Sequence, residues 1–77
     1  MYTGRLKIIF VNKQGALALI TSAISKSVVD INNLKIINRS TDFWEVVADV
    51  GVHNCEELQT VKANLRSLAI VSKVERQ

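Results

Sequence analysis

The chain has 77 residues, enough for one domain spanning residues 1–77 but one that buries only about 60% of the surface its unfolded chain would expose. Its 48% hydrophobic and 22% charged residues are those of a globular domain, and no apolar run approaches the roughly 18 residues a membrane span needs. The net charge of +3 is unevenly spread: residues 1–38 hold five Lys/Arg and one acid, residues 39–77 five Lys/Arg and six acids.

A single cysteine, Cys55, excludes an internal disulfide, and with only His53 beside it no structural zinc site can be assembled. No cofactor motif is present. The opening Met1–Arg5 lacks the basic segment, apolar stretch and small-residue cleavage site of a signal peptide, so the expected location is the cytoplasm.

In chain order, Arg5–Val11 reads as a first strand, with Leu6, Ile8 and Phe10 on one face and Arg5, Lys7, Ile9 and Val11 on the other. Asn12-Lys13-Gln14-Gly15-Ala16-Leu17 then separates a strand period from a helix period. It is expected to be a strand-to-helix turn whose glycine lets the backbone approach a neighbour closely. Leu17, Ile20, Ile24 and Val28, flanked by Ala16 and Ala23, form the inward stripe of the helix, and Leu19 lies off it.

Asp30–Asn33 is a cluster of turn-forming residues, and Leu34–Arg39 a second strand with Leu34 and Ile36 inward and Lys35, Ile37 and Arg39 outward. Ser40–Asp42 connects to a third strand, Phe43–Val52, in which Trp44, Val46, Ala48, Val50 and Val52 face one way and Glu45, Val47 and Asp49 the other. Asn54 with Glu57 three residues on signals a capped helix start. Leu58, Val61, Leu65 and Leu68 form the inward stripe of that helix, and Ile70–Arg76 is the last strand.

The order βαββαβ with one apolar face per strand predicts an α+β ferredoxin-like sandwich: a four-stranded antiparallel sheet with two helices on one face. Right-handed crossovers place strands one and three at the centre.

No Gly-rich phosphate loop occurs, the only histidine sits in a turn, and the order of Ser, His and Asp matches no nucleophile, base and orienter. The chain is therefore read as non-catalytic, without a metal. An RNA-binding sheet of this topology would need aromatics exposed on its central strands. Here the outward positions are Arg5, Lys7, Ile9 and Val11 on one and Phe43, Glu45, Val47 and Asp49 on the other. Pairing of Arg5, Lys7, Lys35 or Arg39 with Glu45 and Asp49 is expected to neutralise that face, leaving ribosome or RNA contact through an edge or a helix as the alternative. The apolar outward residues Ile9, Val11, Ile37 and Val47, with the small core, predict a homodimer.

From Arg5 to Arg76 the chain resembles an ACT domain, most closely the C-terminal ACT domain of RelA/SpoT-type (p)ppGpp synthetase/hydrolases, the GTP pyrophosphokinase family. The residues carrying the resemblance are Asn12–Leu17 with Ile20 and Ile24, Asp30–Asn33, and Leu58, Val61, Asn64-Leu65-Arg66, Val71, Val74 and Arg76. Asn12-Lys13 stands where that branch often has an acid followed by arginine, and Ala16 replaces a common leucine.

The resemblance implies a regulatory fragment of, or remnant from, such an enzyme, controlling (p)ppGpp metabolism in the stringent response and pairing with a second ACT domain. In some members amino acids bind at the interface, so that a generic amino-acid-binding ACT protein is a further alternative. The positions corresponding to their ligand contacts are Asn12, Gly15, Ala16, Leu17, Asn32 and Asn33. Asn amides and the free N–H groups of a helix start suit a zwitterion; the competing reading is that Asn12 and Asn33 only satisfy turn backbone.

Overall fold

The structure, a computed structural model, describes residues 2–28 and 30–77; Met1 and Val29 lie outside the described residues. Its elements are β1 (Tyr2–Val11), α1 (Ala16–Ser25), β2 (Asp30–Arg39), β3 (Phe43–Val52), α2 (Cys55–Arg66) and β4 (Val71–Arg76). The sheet order is β2-β3-β1-β4 and every neighbouring pair is antiparallel, the arrangement expected from right-handed crossovers.

Period-two patterning commits the even-numbered side chains of β1 and β3 to the helix layer. Leu6, Ile8, Phe10, Val46, Ala48, Val50 and Val52 are buried there, under Ile20, Ala23 and Ile24 of α1 and Leu58, Val61 and Leu65 of α2. Val74 closes the core from β4. Leu17, Val28 and Leu68, expected on the inward stripes, are half-buried and pack against this cluster. Val28 and Leu68 do so from beyond the ends of their helices.

β1 starts at Tyr2, three residues earlier than its apolar alternation indicates, because Gly4 is itself a buried strand position. A Cβ on Gly4 would lie 2.8 Å from Cδ1 of Leu58. The bare backbone there allows α2 to sit close against the strand.

The largest departure from the sequence expectation is in β2. Asp30–Asn33 is not a turn but the first part of the strand: Asp30 pairs with Gly51, Ile31 with Val50 and Asn33 with Asp49. The full length of β3 offers these residues a ladder, and pairing overrides their turn preference. Two register shifts, between Ile31 and Asn33 and between Ile36 and Asn38, absorb the mismatch.

Leu34 and Ile36 do face the helix layer opposite Ala48 and Val46. At the free edge, however, Leu34 is only half-buried and Ile36 remains 38% exposed. The second shift inverts the facing of the last residues of β2. Asn38 joins the open face beside Glu45, and Arg39, expected there, instead pairs with Trp44 on the helix side.

At the start of α2, the Asn54 side chain accepts a hydrogen bond from the Glu57 N–H at 3.0 Å, as its position predicts. The Glu57 carboxylate reaches one residue further back than a capping box requires, accepting from the His53 N–H at 2.8 Å and lying 2.9 Å from His53 Nδ1.

Leu65 is fully buried where α2 meets the sheet. Leu65→Ala is expected to lower the unfolding free energy by about 2–5 kcal/mol, a large share of the roughly 5–15 kcal/mol of a typical domain. Urea unfolding followed by circular dichroism should show a lower midpoint with an unchanged slope.

Candidate ligand-binding turn

The turn after β1 is held from both sides. The Val11 N–H donates to the Ile70 carbonyl at 2.8 Å, and the Asn12 N–H donates to the Asp42 carbonyl at 2.8 Å. The Asn12 side-chain amide donates to the Thr41 carbonyl at 3.1 Å, so this residue ties the turn to the β2–β3 hairpin. The Ala16 N–H donates to the Lys13 carbonyl at 3.0 Å, closing the turn.

Gly15 is the helix N-cap, with φ 78° and ψ 1°, a left-handed conformation that disfavours any residue with a Cβ. A Cβ there would meet nothing within 4 Å. Conformation, and not a close approach within the chain, therefore requires the glycine, and its open side faces outward. No side chain caps α1, and its first turn carries no acid. The Leu17 and Ala18 N–H groups thus stand at a helix start that carries the positive end of the dipole.

A cavity of about 320 Å³ opens at this point, bounded by the turn from Asn12 to Ala18 with Phe10 and Trp44 beneath it. Trp44 is half-buried at the first inward position of β3, opposite Phe10. The Phe10 ring stands 6.3 Å away at 51°, and the Arg39 guanidinium carbon lies 5.6 Å from the Trp44 ring centroid. Neither Trp44 nor Arg39 stands out as a site residue in the sequence. The alternation of β3 places Trp44 inward at the start of the strand; the register shift that brings Arg39 over it has no local signature.

Asn12, Gly15, Ala16 and Leu17 therefore share one cavity, and Asn32 and Asn33 do not join it within the chain. Asn33 pairs with Asp49, whereas the turn adjoins Val11 and its partner Phe43. Six rungs of β3 separate these points, about 20 Å at the usual rise per residue.

The open face of the sheet carries a ladder of charge pairs. Arg5 Nε donates to Asp49 Oδ1 at 2.8 Å, Lys7 lies 3.5 Å from Glu45, and Lys73 lies 2.8 Å from Glu75. Arg5 and Lys7 pair as expected. Lys35 forms none of these ion pairs and Arg39 is turned away; instead Asn38 donates to Glu45 at 3.2 Å. Phe43, 45% exposed, is the only aromatic side chain on this face among the described residues, so the face offers little for stacking bases.

The bonded Arg5 guanidinium holds the Asp49 carboxyl below its ordinary value, with a smaller contribution from the Asn33 side chain, against an opposing effect of desolvation. Lys73 likewise lowers Glu75. Among the described residues no group of three His, Cys, Asp or Glu side chains is placed to hold a metal ion.

A two-layer βαββαβ domain with two helices on one face of a β2-β3-β1-β4 antiparallel sheet belongs to the class of ferredoxin-like α+β domains. The chain is a member of the ACT domain family, whose sequence profile matches residues 1–76. It is 28% identical over 75 residues to the GTP pyrophosphokinase rsh of Brucella suis, covering 97% of this chain and 10% of that protein. The match to the same protein of Brucella melitensis is of equal extent. The chain thus spans about a tenth of the length of these curated relatives.

The crystal structure of the ACT domain from the GTP pyrophosphokinase of Chlorobium tepidum superimposes with a TM-score of 0.87 at 26% identity, covering 99% of this chain and 97% of that one. The C-terminal domain of the MgtC protein from Mycobacterium tuberculosis shares the fold alone, at a TM-score of 0.74 and 18% identity over 97% of this chain and 84% of that one. What the chain shares with the GTP pyrophosphokinases is a small ACT regulatory domain, a non-catalytic part of those proteins.

Gly15→Ala is expected to cost about 1–2 kcal/mol from the left-handed backbone, without a clash; urea unfolding should show that loss, and Gly15→Asn a smaller one. Because folded Asp49 titrates below its unfolded value, the unfolded chain binds more protons in acid. Its contribution is therefore present above the ordinary carboxylate range near pH 4 and is lost as pH falls through the lowered value. The stability difference between wild type and Asp49→Asn should shrink steadily from pH 5 to pH 2 in thermal melts.

Proposed function

We propose that this ACT domain serves as a regulatory module of (p)ppGpp metabolism in a cytoplasmic GTP pyrophosphokinase-type protein of the stringent response, binding an amino acid at the Asn12–Leu17 turn. The observation that carries this reading is the cavity of about 320 Å³ at the uncapped start of α1, in a domain similar to the ACT domain of a GTP pyrophosphokinase. The volume falls at the lower end of small-molecule sites. The Leu17 and Ala18 N–H groups would receive the ligand carboxylate. Asn12, whose amide nitrogen is committed to Thr41, would accept from the ammonium through Oδ1.

A second ACT domain completes this reading, and the free edge of β2 is where it would pair. That edge is ten residues long, presents Ile36 and Ile37 at 38% and 47% exposure, and is a template for strand addition. In a two-fold antiparallel pairing of β2 with its copy, the start of one strand lies beside the end of the other. Asn32 and Asn33 of the partner subunit would then approach the end where Arg39 overlies Trp44, joining Asn12, Gly15, Ala16 and Leu17 across the interface.

The pairing of Arg5, Lys7 and Lys73 on the open face disfavours the ribosome- or RNA-contacting alternative through that face, since sequence-independent RNA affinity draws on unneutralised Lys and Arg.

Titration of the isotope-labelled protein with the twenty amino acids should shift the amides of Gly15–Ala18 and Asn32–Asn33, and sedimentation should report a homodimer at micromolar concentration. A flat panel together with a stable monomer and salt-dependent binding to ribosomal RNA would replace this reading with the alternative.

A further inference from the structure

Among the residues that line the cavity, one is charged. Lys13 lines it and no acid does. Arg39 does not itself line the cavity; its guanidinium carbon stands 5.6 Å from the ring centroid of the Trp44 wall, and among the described residues it has no carboxylate within ion-pair distance, whereas Arg5, Lys7 and Lys73 of the same sheet are matched and Lys35 is not. The guanidinium is placed by stacking, which leaves its in-plane N–H donors unengaged by any acid. Such a planar fork is suited to receive a carboxylate in a bidentate manner. The part of the indole that lines the cavity provides an apolar surface for a short methylene chain.

We propose that the cavity selects amino acids with an acidic side chain, glutamate or aspartate, through Arg39 and Lys13; this rests on the amino-acid-binding role proposed above. The α-carboxylate takes the start of α1, the methylenes lie against Trp44, and the side-chain carboxylate meets the Arg39 fork. A neutral amino acid leaves both cations without a counter-charge. Arg39 is therefore a specificity-determining residue, placed by the register shift in β2 and not by its position in the strand alternation.

Trp44 is the only tryptophan and reports directly on the site. Wild type, Arg39→Gln and Arg39→Lys are titrated with glutamate, aspartate, valine, leucine, phenylalanine and succinate at constant ionic strength. Indole fluorescence and the Gly15–Ala18 amide shifts are read together, and urea unfolding establishes that each variant is folded.

The expected result is that glutamate and aspartate bind wild type at least tenfold more tightly than the neutral amino acids. Arg39→Gln should lose about tenfold of that affinity, the scale of one charge-assisted hydrogen bond, with neutral ligands unaffected, and Arg39→Lys should retain the acidic preference in part. Neutral amino acids binding as tightly as glutamate, or Arg39→Gln weakening both classes equally, would overturn the selectivity and leave amino-acid binding standing. Succinate matching glutamate would overturn it in favour of a plain dicarboxylate. Silence across the panel would remove both this inference and the reading it rests on.

Discussion

Everything in this domain depends on the unbroken ladder between β1 and β3. Ten consecutive pairs run from Tyr2 with Val52 to Val11 with Phe43 without a register shift, so each residue of one strand fixes the face of its partner on the other. A slip of a single residue would move the whole apolar set to solvent. With the register fixed, both helices find a continuous apolar floor, and burial of that floor is the main favourable term in folding. The floor extends beyond the first turn of α1, where Phe10 and Trp44 form its last rung. A cavity therefore arises where the two-residue pattern of the sheet outlasts the helix that covers it.

The turn above that rung is specified by backbone geometry more than by side chains. Its hydrogen bonds run to Ile70 on one side and to Asp42 and Thr41 on the other, so the start of α1 is anchored to β4's approach and to the β2–β3 hairpin. The contrast between the two helices is informative. α2 begins with an Asn cap and two acids in its first turn, which satisfy its N–H groups and its dipole, whereas α1 begins with a glycine and neither. A glycine N-cap forgoes about a few tenths of a kcal/mol relative to Asn, Asp, Ser or Thr. At α1 that deficit coincides with the one cavity wall formed by backbone N–H groups.

The elements most legible from sequence are those governed by short-range periodicity. Phe43–Val52 has the bounds its alternation predicts, and the buried stripes of α1 and α2 contain Ile20, Ile24, Leu58, Val61 and Leu65 as their spacing requires. Asn54 caps α2 as its type and place suggest. Features set by distant partners have no such local signal. Asn32 and Asn33 have turn chemistry but lie in a strand because β3 continues to Val52, and Gly4 has the look of a loop residue until Leu58 is brought against it. Four of the expected contact residues, Asn12, Gly15, Ala16 and Leu17, adjoin the cavity because they are contiguous. Trp44 is not distinguishable in advance, because a core position and a cavity wall have the same sequence signature.

The second register shift in β2 shows how one residue separates two roles for the same kind of side chain. Up to Ile36 the strand alternates in step with β3, and a regular continuation would have set Arg39 on the open face among the charge pairs. There it would have added one more exposed ion pair, worth little in water. Insertion of Ile37 moves Asn38 into that ladder, where its amide serves Glu45, and turns Arg39 over the edge onto Trp44. Bulges occur where a strand must re-aim a side chain or discourage pairing, and this one does the first at the mouth of the cavity. The pairs of Arg5, Lys7 and Lys73 on the open face stand without Arg39, while Arg39 lies against Trp44 at the cavity that Lys13 lines.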